Sequence, residues 1–395
     1  MLNTFEEIIE VVASQVEQIP NFPESTNFWM VRSKKGIFYR EYLEDGFIAI
    51  GWNALTNDIL NSNDDKRLKD YLTEQGYKDK MPGTAINKCR RFISEVKKGD
   101  IAMIVGSYEI AFAIIGDYYE YESQSTTTTK EIDIIAQIDN GTYFGGYCPY
   151  KKRRHITIIS TIDINNVSPS IYRCMVANRH SLSNLNEYAD AIISASYDVA
   201  YYNNRLIVKY HIGQLKDINP VDFSLFTLNT VRLLAEDERS ISGKYNINSE
   251  GDIVLLLVNS GKDIYEFIRD NIASLWLIYA ILFGTKGFGF ELPSAVDKIK
   301  DWVADALCWK DKRLSQKTEM DKAKAEIKKI EAETEQIKID NEIKKLTLET
   351  MRKEKEEQAL QIVQQLQQTA EPLDIKEPSP KIISLVNVLN KETVD

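Results

Sequence analysis

Five short apolar runs, "FWMVR", "FIAIGW", "DIAMIVG", "IAFAIIGDYYEY" and "RRHITIIS", punctuate the stretch from Asn27 to Ser183, each bounded by polar residues or Gly. Runs of this length that are rich in Ile, Val and aromatic residues read as strands. Loops and brief helices separate them, without the regular crossovers of repeated βαβ units, so a compact mixed sheet or barrel is expected in place of a parallel sheet. A chain of 395 residues also exceeds the roughly 250 to 300 residues at which a single core stops growing, so at least two domains are expected. The expected class is α+β.

Five segments follow from the pattern. Residues 1–26 are a lead-in whose "FEEIIEVVASQV" places Phe5, Ile8, Val12 and Val16 on one helical face. Residues 27–183 are the strand-rich domain. Residues 184–310 form a middle α+β domain, in which "RLIVKYHIG" reads as a strand and "NPVDFSLFTLNTVRLLAED" starts a helix at Pro220. Its apolar run Ile272 to Phe283 is about half the roughly 20 residues that cross a bilayer, and reads as a buried helix. The glycine cluster "GTKGFGFELP" lacks a GKS or GKT ending and reads as a hairpin turn, not a phosphate loop.

Residues 311–368 then change character. From Ser315 to Gln368 there is no Gly, Pro or aromatic residue, and acids and bases interleave. Ile327, Ile330, Thr334 and Ile337 keep a coiled-coil spacing that Ile339, Ile343 and Leu346 resume after a phase shift. A long coiled-coil-like helix that joins copies into a homo-oligomer is expected, with a solvated single helix as the alternative. Residues 369–395 are a Pro-containing linker and a short helix.

The net charge of −10 argues against coating nucleic acid non-specifically, which needs a broad cationic surface. Cys89, Cys148, Cys174 and Cys308 are scattered, form no CxxC pair and are accompanied by three histidines. This is poor material for a zinc site and fits reduced thiols in a cytoplasm. No Gly-x-Ser-x-Gly elbow or HxxxH pair is present, and no catalytic residue, metal or cofactor is assigned. Cys148 with His155, and a nuclease-like set of Glu131, Asp133 and Lys151 or Lys152, are weighed and read as ordinary packing and surface residues.

Basic residues are better placed than the net charge suggests. From Met1 to Leu185 there are 21 Lys and Arg against 24 Asp and Glu, a balance of −3. One cluster holds Lys88, Arg90 and Arg91, and "YKKRRHI" holds Arg153 and Arg154. At this density they read either as phosphate contacts or as a solvated surface.

The order "FWMVRS", "GFIAIGWN", "VKKGDIAMIVGS", "IAFAIIGDYYEY" and "RRHITII" resembles the EVE and PUA-like superfamily, which includes the YTH domains, and the modules found beside restriction-type nucleases. The corresponding positions are Arg32-Ser33, Trp52-Asn53, Gly99-Asp100, Ser107 and Gly116-Asp117. The resemblance implies a PUA/EVE-like mixed β-barrel that takes one flipped or unpaired nucleotide of DNA or RNA, often a modified base, between aromatic walls. Trp52 is then the stacking wall, and Asn53, Ser33 and Ser107 read base edges. Arg32 holds a phosphate or base edge, and Lys88, Arg90, Arg91, Arg153 and Arg154 line the approach. A second tryptophan for the cage is missing, so Tyr108, Tyr143 or Phe144 would serve. Trp29, inside an apolar strand, reads as core, whereas Trp52 suits pocket and core equally.

For the whole chain, the resemblance implies a nucleic-acid sensor fused to an oligomerising or effector region, as in bacterial antiphage defence. Two alternatives stand beside it: a membrane-perturbing effector built on residues 272–283, and a nuclease with an unrecognised centre.

Overall fold

The computed structural model describes residues 4–376 apart from 63, 144, 214–216, 235–240, 247–250, 260, 284–298 and 314–336. The protein is α+β and divides into two units, residues 23–196 and a second unit made of residues 1–22 with 197–395. The first unit therefore continues past Ser183, because the strand at 182–184 and the helix ending at Ser196 belong to it. The lead-in helix belongs with the C-terminal part of the chain.

The chain opens with α1 (Phe5–Val16) and β1 (Asn21–Phe22). Six strands then build the sheet of the first unit: β2 (Phe28–Arg32), β3 (Phe47–Ile50), β4 (Ile101–Val105), β5 (Glu109–Glu120), β6 (Lys152–Asp163) and β7 (Leu182–Asn184). Their order is β3-β6-β5-β4-β2-β7, curled into an open half-barrel. Only β2 and β4 run parallel, as the span between them requires. It is filled by α2 (Tyr39–Glu44), β3, α3 (Asn57–Ser62), α4 (Asp65–Glu74), α5 (Pro82–Arg90) and a π-helical turn, Arg91–Glu95. Two register shifts in the β5–β6 ladder, at Phe112/Ala113 and Ile115/Tyr118, bend the long strands. Helix α6 (Thr128–Asp139) lies in the β5–β6 connection, and α7 (Pro169–Ala177) and α8 (Ala189–Ser196) flank β7 in sequence.

One face of the sheet carries Trp29, Val31, Ala102, Ile104, Ala111, Ala113 and Leu182 into a core completed by Phe38, Tyr42, Leu68, Ile86 and Phe92. Trp29 is core, and its indole Nε1 donates to Asp100 Oδ2 at 2.8 Å. The same carboxylate accepts from the amides of Asn27 and Lys97, so the Gly99-Asp100 turn fastens the start of β2 to that of β4.

In the second unit, β8 (Val199–Tyr202), β9 (Arg205–Ile212), β10 (Ile241–Asn246) and β11 (Gly251–Val258) form with β1 a sheet of order β1-β8-β9-β11-β10. Its core draws on α1, α9 (Pro220–Leu234), α10 (Ile264–Phe283), α11 (299–313) and α12 (Ile337–Leu373). The apolar run Ile272 to Ile281 is buried along α10. Among the described residues no helix is long and apolar enough to cross a membrane.

Where the sequence suggests a coiled coil, α12 turns the stripe Ala359, Ile362, Val363 and Leu366 into its own unit's core. The three-four spacing is satisfied within the chain there, with Asn229 of α9 donating to Gln365 at 3.0 Å. The seam residues Ile327, Ile330 and Thr334, the "GTKGFGFELP" cluster and the terminal "KIISLVNVLN" lie outside the described residues.

Candidate nucleotide site at Trp52

Trp52 follows β3 and adopts φ +61°, a left-handed conformation that costs a side-chain-bearing residue roughly 1 to 2 kcal/mol. What holds it there is a buried carboxylate. Glu131 of α6, 3% exposed, accepts the Trp52 amide at Oε1, 2.6 Å, and the Asn53 amide at Oε2, 2.7 Å. Tyr77 donates its hydroxyl to the same Oε2 at 2.5 Å. From the other side, the ammonium of fully buried Lys152 donates to the Trp52 carbonyl at 2.6 Å. Gly51 makes room for this arrangement, since a Cβ there would lie 2.6 Å from Glu131 Oε1. Burial pushes the Glu131 carboxyl above its ordinary range, and the Lys152 ammonium beside it acts in the opposite sense.

The indole itself is half-buried. Its Nε1 donates to Asp79 Oδ2 at 2.7 Å, and the Lys88 ammonium stands 5.6 Å from the ring centroid. Burial lowers the Lys88 pKa, an effect that the Asp79 charge opposes. The outcome is an aromatic face fixed at backbone, edge and flank, with a cation beside it.

The partners expected around Trp52 are elsewhere or already engaged. Asn53 is buried; its Nδ2 donates to the carbonyls of Thr126 and Pro149, and its Oδ1 accepts the Lys151 amide. Ser33 is fully buried and donates to the Val105 carbonyl at 2.8 Å. Neither side chain is available to read a base.

Strand order separates the rest. Arg32 pairs with Val105, Val105 with Ile110, and Ile110 with Ile162 at the finish of β6. Ile50, just before Trp52, pairs with Lys152 at the start of β6. Arg32, Ser33, Ser107 and Tyr108 are thus at one end of the sheet, and Trp52 and Asn53 at the other. Helix α6 spans the gap: Glu131 holds Trp52, and Asp139 meets Lys34 at 3.0 Å. These two acids are about 12 Å apart at the helical rise per residue. Arg32 caps the end of α7, donating to the carbonyls of Met175 and Asn178 at 2.6 and 2.8 Å. Ser107 donates to the Lys35 carbonyl, and Tyr108 is 82% exposed in the turn between β4 and β5.

Arg153 and Arg154 do not line an approach, because both are buried. Arg153 lies between the Phe47 and Tyr121 rings, 4.0 and 4.2 Å from their centroids, and donates to Tyr150 and Cys148 carbonyls. Arg154 donates to the carbonyls of Phe92 and Ile93 at 2.9 Å each. Those carbonyls lie in the π-helical turn, which closes with Val96 donating to the Arg91 carbonyl five residues back. Arg90 and Arg91 form exposed pairs with Asp65 and Glu95, at 2.6 and 3.1 Å. Of the five expected phosphate contacts, Lys88 is the one placed beside Trp52.

Residues 29–167 match a family described as a domain of unknown function (DUF8426). The matched stretch contains Trp52, Tyr77, Asp79, Lys88, Glu131 and Lys152. No curated protein and no solved structure matches the chain.

Glu131 and Lys152 meet at the Trp52 peptide, but the carboxylate is sealed by three donors, and Asp133 is exposed. Among the described residues no group of His, Cys, Asp or Glu could hold a metal ion. Burial pushes the Cys148 thiol up to about 12, and His155 stacks on Tyr119, centroids 4.4 Å apart, so the two do not form a nucleophilic pair. As further walls, Tyr143 packs edge-on against Phe38 and donates its hydroxyl to the Gly146 carbonyl, while Phe144 lies outside the described residues. Sequence reasoning misses Tyr77 and Asp79, and names Glu131 and Lys152 only within a discounted nuclease-like set, not for their hold on Trp52.

Proposed function

We propose that residues 23–196 form a nucleic-acid-binding unit that stacks one unpaired base of DNA or RNA on Trp52. The observation that carries this reading is the fixation of a half-exposed indole in a left-handed conformation by Glu131, Lys152 and Asp79. Strain held by buried Glu131 and Lys152 beside a half-buried aromatic ring suits a preorganised ligand platform. Stacking one base on such a face is worth roughly 1 to 3 kcal/mol. The EVE/PUA-like assignment is part of this proposal, and the engagement of the Asn53 and Ser33 side chains by the protein itself favours stacking over hydrogen-bond discrimination as the source of affinity. For the whole chain, the corresponding proposal is a cytoplasmic sensor in bacterial antiphage defence whose second unit assembles copies and passes the signal on.

The test is a binding panel of plain and base-modified single- and double-stranded DNA and RNA oligonucleotides against the full chain and Trp52→Ala. Single strands bind more tightly than duplexes, and Trp52→Ala loses about tenfold or more. Equal affinity of the two proteins for every oligonucleotide contradicts the proposal.

A further inference from the structure

The loop from Tyr77 to Met81, "YKDKM", alternates in what it contacts. Tyr77 reaches inward to Glu131, and Asp79 bonds the indole of Trp52. Between and beyond them Lys78 and Lys80 are exposed, as is Met81 at 71%. The hydrogen bonds of Tyr77 to Glu131 and of Trp52 to Asp79 therefore anchor the loop from which these lysines emerge, one on each side of Asp79 in sequence. Two residues of chain separate them by no more than about 7 Å, so both flank Asp79, the residue bonded to the indole. Lys88 approaches the ring from α5.

Their position beside Asp79, the residue bonded to the Trp52 indole, sets them apart from Lys35, Lys66, Lys69 and Lys130, which also form no ion pair among the described residues. Lys34, Arg90, Arg91, Lys98 and Lys151 each meet a carboxylate. Lys78 and Lys80 form no ion pair among the described residues. Exposed ammonium groups beside an aromatic platform have one obvious class of ligand, the phosphates that flank a stacked base.

We infer that Lys78, Lys80 and Lys88 hold the backbone phosphates on either side of the base stacked on Trp52. The ligand class is then an oligonucleotide strand, not a free base or nucleoside. The inference rests on the stacking proposal and adds to it Lys78 and Lys80, which neither the resemblance nor the sequence clusters indicated. Only Lys88 belongs to the basic groups recognised in sequence; Lys78 and Lys80 are interrupted by Asp79, which masks them as a patch.

The experiment measures affinity against salt concentration for the full chain, using a fluorescein-labelled single-stranded oligodeoxynucleotide of mixed sequence about twelve nucleotides long. Proteins compared are the wild type, Lys78→Gln, Lys80→Gln, Lys88→Gln, Trp52→Ala and, as a paired-cation control, Arg90→Gln. Each lysine variant lowers affinity several-fold at low salt and reduces the slope of log K against log salt by about 0.7, the value for one phosphate contact on a single strand. Trp52→Ala lowers affinity with the slope unchanged, and Arg90→Gln changes neither. Thermal melting confirms that each variant is folded. Unchanged slopes in all three lysine variants, with Trp52→Ala still weakened, overturn the phosphate subsite alone. Unchanged affinity in Trp52→Ala, or no binding by the wild type, overturns the stacking proposal and with it this inference.

Discussion

Glu131 holds Trp52 by its backbone and not by its ring: Oε1 accepts the Trp52 amide at 2.6 Å, while the half-buried indole donates its Nε1 to Asp79. The carboxylate is 79 residues away along the chain and lies on a different element, so the geometry of the exposed ring is set by tertiary structure. Glu131→Gln keeps one carbonyl oxygen but aims an NH2 group at one of three donors. An unmatched buried polar contact costs about 1 to 3 kcal/mol, which urea denaturation will register together with weaker oligonucleotide binding. The pH dependence has a definite sign. Burial raises the folded-state pKa of Glu131, so the folded protein binds this proton more tightly than the unfolded chain. Stability from this group falls as pH rises from the unfolded value, about 4.3, through the higher folded value. The stability difference between wild type and Glu131→Gln is therefore larger at about pH 4 than at about pH 7.

Arg154 is a structural cation. Arg154→Ala leaves the Phe92 and Ile93 carbonyls unpaired at the end of the π-helical turn and costs about 2 to 4 kcal/mol. Chemical denaturation measures that loss, and the variant that remains folded binds oligonucleotides as the wild type does. Lys88→Gln shows the reverse pattern.

Gly36 has φ +87°, and a Cβ there would lie 2.8 Å from the Ser107 amide nitrogen. Gly36→Ala combines a left-handed backbone with a close approach and costs more than about 1 kcal/mol. Thermal melting detects it. Oligonucleotide affinity does not change, because Gly36 and Trp52 follow strands that finish at opposite ends of the sheet.

The thiols test the absence of a Cys148–His155 pair. Burial pushes Cys148 to about 12 and Cys89 to about 11, and Cys174 is also buried. Iodoacetamide at about pH 8 labels half-exposed Cys308 in the native protein and the other three only after unfolding. Mass spectrometry of the labelled peptides gives the pattern.

Leu277 is fully buried in α10, in the segment that a membrane-active reading would expose. Leu277→Ala costs about 2 to 5 kcal/mol, and the native protein does not sediment with anionic vesicles. Sedimentation of the folded wild type would contradict the burial-based account of this helix.

Sequence made the strand runs, the core role of Trp29 and the burial of residues 272–281 legible, because apolar pattern and length determine them. It did not reveal which strand ends meet. Arg32-Ser33 and Trp52-Asn53 each close a short strand, and only the antiparallel pairing of β3 on the start of β6 sends them to opposite ends. Nor could it show that Arg153 and Arg154 turn inward. Basic residues at the start of a strand ordinarily face water, and here both are buried by rings and carbonyls brought from other elements. Within the same charged segment Ala359, Ile362, Val363 and Leu366 are buried in the core of their own unit, while the side chains of the seam residues Ile327 to Leu346 lie outside the described ones. Periodicity specifies a buried face and is silent on what buries it.

The central claim is that the π face of Trp52 is the binding element. The most direct measurement compares the affinity of wild type, Trp52→Phe and Trp52→Ala for one single-stranded oligonucleotide at fixed salt, with folding checked by melting. The account predicts that Phe, which retains a flat ring, keeps most of the affinity, and that Ala loses about tenfold or more. Equal affinity in all three folded proteins would contradict it.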